Sequence, residues 1–252
     1  MKNKIRTTRF SGAEWAEELT TITLVGVGGI GSWVALNLAR IGHSLVIYDG
    51  DRVDETNVLG GQLYKRSNIG QAKVTAIFNI CKEFGAESPI IPMVQEFEKD
   101  SDIFPITITG LDNMEARKTV FRSWVSKFGD NSDALLIDGR LLMENMEVIS
   151  IQGGKKEQIE KYKQEYLFND SEVADLECTT KQSTFSAMGI ACLITATLCN
   201  FLTNRKLETE MREVPFHQSF FLPIFRQSTL NLEPSEESNR VLVEHKEVLE
   251  KV

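Results

Sequence analysis

The sequence predicts an α/β fold: a Rossmann-like, doubly wound, mostly parallel sheet with helices on both faces, extended by some antiparallel strands. Three observations predict it. Apolar runs of strand length alternate with helical periodicity as far as about residue 140. A glycine-rich turn, GVGGIG at 26–31, separates the first run from the first long helix. The second run, SLVIYD, ends in the carboxylate of Asp49.

Each element has a local reason. Residues 12–19 (GAEWAEEL) read as a short acidic helix. Ile22–Val25 is an unbroken apolar run, the pattern of a strand buried on both faces. Trp33, Leu36, Leu38 and Ala39 recur at helical spacing behind the glycines. The polar stretch 50–70, with glycines at 50, 60, 61 and 70, reads as a long functional loop. Helical pattern returns over Gln71–Phe84. Strands are expected over Ile90–Val94 and Ile103–Thr109, a helix over Glu115–Phe128 and a strand over Ala134–Asp138. Leu141–Gln152 adds one or two strands, Lys155–Phe168 a charged helix, Ser171–Ser183 a loop and Thr184–Thr203 a buried helix. Phe216–Phe225 reads as an edge strand, or as a docking surface for an extended tail. An acidic tail follows from about 228 to 252, with Val241–Val252 amphipathic.

Composition narrows the function. The chain carries 28 Lys plus Arg against 36 Asp plus Glu, a formal charge of −8. That charge argues against general affinity for nucleic acid or anionic lipid. The N-terminus, MKNKIRTTRF, has no apolar stretch behind its cations and does not read as a signal peptide. The longest apolar stretch, Met188–Leu202, is interrupted by Thr195, Thr197 and Asn200 and reads as too short to cross a bilayer. Cysteines at 81, 178, 192 and 199 form no disulfide framework, which fits a reducing, cytoplasmic setting. No C-x-x-C pair occurs, so zinc is not expected.

The glycine loop satisfies G-x-G-x-x-G, whose usual occupant is a nicotinamide or flavin dinucleotide. Its glycines permit a tight turn and close backbone approach, and the helix behind it presents N–H groups to an anion. Asp49 stands where a carboxylate accepts from ribose hydroxyls. The residues beyond it favour ATP instead. Asp51, Asn57, Lys73, Asp112 and Asn113 all fall in or beside loops at the carboxyl ends of predicted strands. A triphosphate needs a lysine to neutralise phosphate charge and a carboxylate to hold Mg²⁺; a dinucleotide needs neither. Taken singly, Lys73 is also a solvated helix residue, Asn57 a turn former and Asp112 a helix cap.

The ordered set GVGGIGS (26–32), YDGDRVDETN (48–57), IGQAK (69–73) and GLDNMEAR (110–117) resembles the ThiF/MoeB-like adenylyltransferases, of the ubiquitin-activating-type superfamily. The resemblance covers about residues 20–205. Around ECTTKQSTFSAMGIACLITATLCNFL (177–202) it is most similar to the activator of the ubiquitin-fold modifier, which puts Cys178 at the thioester position. The resemblance implies a single adenylation domain over 1–252. It implies that the C-terminal carboxylate of a small ubiquitin-like or sulfur-carrier protein ending in Gly, or of a peptide, attacks the α-phosphate of MgATP. Carried over by position, Gly26, Gly28, Gly29 and Gly31 hold the phosphates and Asp49 the ribose. Asn57 and Lys73 contact phosphates, Asp112 binds Mg²⁺, and Arg117 matches a family arginine that acts in catalysis or braces the loop. A homodimer is implied by family habit and by the apolar surface of the 184–203 helix.

The chain also departs from the family. An Arg-Gln pair usually follows the Asn; here the stretch is Val58-Leu59-Gly60-Gly61-Gln62, without Arg. Lys65 or Arg66 is a candidate substitute, and Arg6 and Arg9 are candidates for a contact across a dimer. Cys81, Cys192 and Cys199 read as core or interface residues, and His217 as a packing residue. Three other readings use the same residues: a non-catalytic nucleotide-binding partner subunit, adenylation of a non-protein carboxylate, and an NAD-dependent oxidoreductase.

Overall fold

A computed structural model describes residues 12–168, 183–207 and 211–232. After a short helix α1 (Glu14–Glu17), strand β1 (Thr21–Val25) leads through the glycine turn into α2 (Gly29–Ile41). Gly42, at φ +110°, ends α2 by donating its N–H to Leu38 O. Strands β2 (Ser44–Tyr48) and β3 (Ile90–Met93) lie on one side of β1, and β4 (Ile106–Thr109) and β5 (Leu135–Leu142) on the other. All of these pairings are parallel. Strand β6 (Asn145–Gln152) folds back on β5, and β7 (His217–Phe221) and β8 (Arg226–Leu230) continue antiparallel. Among the described residues the sheet thus has eight strands, in the order β3-β2-β1-β4-β5-β6-β7-β8.

Two cores cover the two faces. Ile22, Leu24 and Ile137 point to the face packed by α2, by α4 (Lys73–Glu83) and by α7 (Thr184–Asn204). Val25, Leu136 and Ile149 point to the face packed by α5 (Met114–Phe128) and α6 (Lys156–Lys161). Trp124 of α5 is fully buried there, and its indole N–H donates to Pro105 O at 2.9 Å. Truncating so large a buried ring would cost about 3–5 kcal/mol. Helix α7 has 21 residues without one charge, so length and composition alone would let it cross a bilayer, contrary to the expectation from its polar interruptions. It packs against α2, β5 and β6 as a core helix.

The structure corrects several sequence boundaries. The stretch 50–70 is not all loop: α3 (Glu55–Leu59) starts there on a reciprocal cap between Asp54 and Asn57. Strand β4 begins at Ile106, after Pro105, which has no N–H for a ladder. Phe216–Phe225 is not the edge. Its residues supply β7, which lies between β6 and β8, with Phe216 fully buried. Among the described residues the edge on that side is β8, whose RQSTL is exposed throughout and mostly polar, in keeping with the need to blunt an unpaired strand. Strand β8 carries the chain through Leu230, past the expected start of the acidic tail. Residues 233–252, with the amphipathic stretch 241–252, lie outside the described residues.

Candidate active site

The site forms where the parallel strands end and the chain leaves β1 for one face and β4 for the other. Gly26 sits at φ +84°, and a Cβ there would meet Gly110 O at 2.8 Å. A Cβ on Gly31 would meet Gly26 O at 1.9 Å. These two glycines are therefore packing requirements that bring the glycine loop against the loop after β4. At Gly28 a Cβ would meet nothing within 4 Å, so the loop faces open space there. Gly28 caps α2 and Gly29 begins it, which leaves the first N–H groups of a 13-residue helix for an anion.

Asp49 follows β2 and is buried. It accepts from Val27 N–H at 2.8 Å and Asp51 N–H at 2.9 Å, so it holds both the glycine loop and its own turn. Burial pushes its carboxyl above the usual range, against the lowering effect of Val27 N–H and of Lys73. Lys73 is buried at the start of α4, and its Nζ pairs with Asp51 at 2.7 Å. Asp51 is two-thirds exposed, so the ion pair opens to solvent on one side only. Asn57 is buried, and its carbonyl oxygen accepts from Asp54 N–H in the α3 cap.

Asp112 is exposed in the loop after β4, and Asn113 caps α5 by accepting from Ala116 N–H at 2.8 Å. Asn113 is thereby a structural cap. Arg117 is buried; it pairs with Asp138 and donates to Leu111 O, so it braces the Asp112 loop. That is the second of the two roles the sequence allowed it, and its nitrogens face protein groups.

The fit to Mg²⁺ rests on the donor set. Among the described residues no three His, Cys, Asp or Glu side chains gather. Asp112 is one exposed carboxylate at the strand ends, which matches how Mg²⁺ binds, through one or two carboxylates plus substrate phosphates.

Of the candidate substitutes for the missing arginine, Lys65 pairs with Glu83. Glu83 ends α4, ten residues from Lys73 and about 15 Å along the helix, so Lys65 is turned away from the crevice. Arg66 stays exposed, 3.9 Å from Glu55 at the start of α3. The altered stretch has a packing reason: Gly61 is at φ +92°, and a Cβ there would meet Thr184 N at 2.6 Å. Cys178, Arg6 and Arg9 lie outside the described residues.

Several residues of the site escaped the sequence reading. Tyr64 is buried and donates to Val27 O at 2.6 Å; burial, then the nearby Asp49 and Asp51, hold its hydroxyl well above the ordinary range. Trp33 donates to Gly61 O at 2.9 Å, and Ser32 Oγ accepts from Leu63 N–H at 3.1 Å. Together they clip the 61–64 segment onto the start of α2. Asp138 was visible as a carboxylate ending an apolar strand, the same signal that marked Asp49.

A ThiF family model matches residues 4–238. Relatives include an adenylyltransferase and sulfurtransferase of Zea mays, MOCS3-1, 29% identical over 114 residues, covering 42% of this chain and 24% of that protein. Another is the adenylyltransferase and sulfurtransferase uba4 of Aspergillus terreus, 28% identical over 132 residues, covering 49% and 27%. The chain thus matches about a quarter of the length of these relatives. Among solved structures, PaaA superimposes with a TM-score of 0.65 at 18% identity, over 87% of this chain and 66% of that one. E. coli MccB with ATP gives 0.64 at 16%, over 88% and 67%. At those identities the likeness is one of fold. The family match spans nearly the whole chain, glycine loop and Asp112 loop included, and the chain belongs to the ThiF family.

Proposed function

We propose that the chain is an ATP-dependent adenylyltransferase that activates the C-terminal carboxylate of a small polypeptide, a ubiquitin-like or sulfur-carrier protein or a peptide. The observation that carries this reading is the buried Lys73 Nζ, paired with Asp51 on the same turn that orients Asp49 against the glycine loop. Redox coenzymes have no need of a lysine there. Attack by a carboxylate on a phosphate brings two anions together, so alignment and charge neutralisation do most of the work. In this reading the α2 N–H groups hold phosphates, Asp49 accepts from the ribose, Lys73 and Asn57 contact phosphates, and Lys73 neutralises their charge. Asp112 holds Mg²⁺, which when bound neutralises the departing pyrophosphate.

A polypeptide substrate is favoured by the surface beside the crevice. The β5–β6 and β7–β8 turns overhang the same sheet edge, about four residues or 13 Å beyond Thr109. They expose Leu142, Met143, Phe221, Ile224 and Phe225, with Phe225 91% exposed. Such a patch suits the apolar face of a protein that delivers its tail to the crevice. The relatives are named as adenylyltransferases, which supports the adenylyl transfer, and MccB has been solved together with MccA. A thioester on Cys178 is proposed as a second step. A cytoplasmic homodimer is proposed as well, supported by the uncharged exposed stripe Phe185, Met188, Cys192 and Ala196 of α7.

ATP–pyrophosphate exchange tests the reading. Exchange is expected only with a polypeptide bearing a free C-terminus, and is expected to survive Cys178→Ala. Exchange supported by a free small carboxylic acid but by no polypeptide would contradict it.

A further inference from the structure

The fully buried Asp138, at the level of Thr109 on β5, collects four side-chain donors. Arg117 and Thr109 Oγ1 (2.8 Å) reach its Oδ1, and Arg140 Nε (2.8 Å) and Tyr162 OH (2.9 Å) reach its Oδ2. Burying a carboxylate and the Arg117 guanidinium carries a large desolvation cost. Sheet pairing does not require that cost, because main-chain bonds already join β4 to β5. The network does reach one place the ladder does not. The second terminal nitrogen of Arg117 donates to the carbonyl of Leu111, the residue before Asp112. A guanidinium spans the two acceptors because its donors lie in a rigid plane; a lysine ammonium is a point donor without that fork.

We propose that Arg117 and Asp138 are positioning residues that hold the Asp112 loop in its metal-binding geometry, with Tyr162 and Thr109 fixing Asp138 in turn. This rests on the ATP-activating reading above. Arg117 then makes no phosphate contact of its own, and its effect on the nucleotide passes through the metal.

The test is calorimetric and uses the full chain. ATP is titrated into wild-type protein and Arg117→Lys, in EDTA and again in excess Mn²⁺, and the metal-promoted gain in ATP affinity is compared. Arg117→Lys keeps the ion pair with Asp138 and loses the fork to Leu111. Its metal-promoted gain is expected to fall by about 10- to 100-fold, as when an outer partner of a metal ligand is removed. Its affinity in EDTA is expected to match wild type. A parallel loss in EDTA would make Arg117 a phosphate ligand and overturn the proposal; so would an unchanged gain. Should Arg117→Lys lose its near-ultraviolet circular dichroism, Tyr162→Phe decides: it removes one donor from Asp138 and is expected to lower the gain several-fold. No effect of Tyr162→Phe would then overturn the proposal. Wild-type protein that binds no ATP in either buffer would overturn the nucleotide reading itself, and this inference with it.

Discussion

The parallel and antiparallel halves of the sheet present opposite chemistry along one edge. At the ends of β1, β2 and β4 the chain shows glycines, a buried lysine and carboxylates, with Asp49 held by two main-chain N–H groups and Lys73 by the Asp51 carboxylate. At the ends of β5 and β7 it shows bare hydrocarbon on two turns. Met143 and Phe225 lie at those turns, and they are the only non-glycine residues at positive φ among the described residues. A large apolar side chain in left-handed backbone and in water is unfavourable on both counts. Under the proposed function the two halves divide the labour: the parallel half holds an anion rigidly, and the antiparallel half accepts a cost in stability to keep an apolar surface open beside it.

The division can be broken from either side. The largest effect is expected from Lys73→Ala, with pyrophosphate exchange falling by about 10²–10³, the usual cost of losing one charge-stabilising donor. Circular dichroism should be unchanged, because Asp51 is exposed enough to stand alone. The opposite pattern is expected of Phe225→Gly on the antiparallel side. It relieves left-handed strain and should raise stability by about 1 kcal/mol in urea unfolding. It should also raise the KM for the polypeptide several-fold and leave the KM for ATP alone. A rise in the KM for ATP would erase the division.

Smaller effects sharpen it. Burial holds the Asp49 proton more tightly in the folded chain than in the unfolded one. Ionising Asp49 therefore draws stability down as pH rises from the ordinary aspartate range through its raised value. Nucleotide affinity should run the other way and increase across that window, since the ribose needs the carboxylate. Asp49→Asn should flatten the affinity profile in calorimetry. The smallest expected effect is Asp54→Ala, which removes the α3 cap at about 1 kcal/mol and weakens ATP binding through the freed Asn57. Asp54 accepts from Thr56 and Asn57, which lowers its carboxyl, so the cap's contribution is present above the ordinary aspartate range and lost as pH falls through its lowered value.

The parallel half was legible in the sequence because its signals are local. Glycines that must pack, apolar runs buried on both faces and acids at strand ends can be read without knowing the partner strand. Lys73 and Asp51 were found as members of strand-end loops, though their pairing across 22 residues was not. The antiparallel half was less legible because its order is set by packing. Phe216 is buried in one core and Phe220 packs against the other, so this stretch is covered on both faces, and the covering elements lie far away in the chain. The Asp138 network was missed for the same reason: its members come from β4, α5, β5 and the turn of π-helix Tyr162–Tyr166. Arg117 was singled out by resemblance, and only the burial of Asp138 explains what it does.

The most direct test is calorimetric titration of the wild-type chain with MgATP and, separately, with NAD. Saturable heat is expected with MgATP and lost in Lys73→Ala, and none is expected with NAD. Saturable heat with NAD and none with MgATP would contradict the ATP-activating reading.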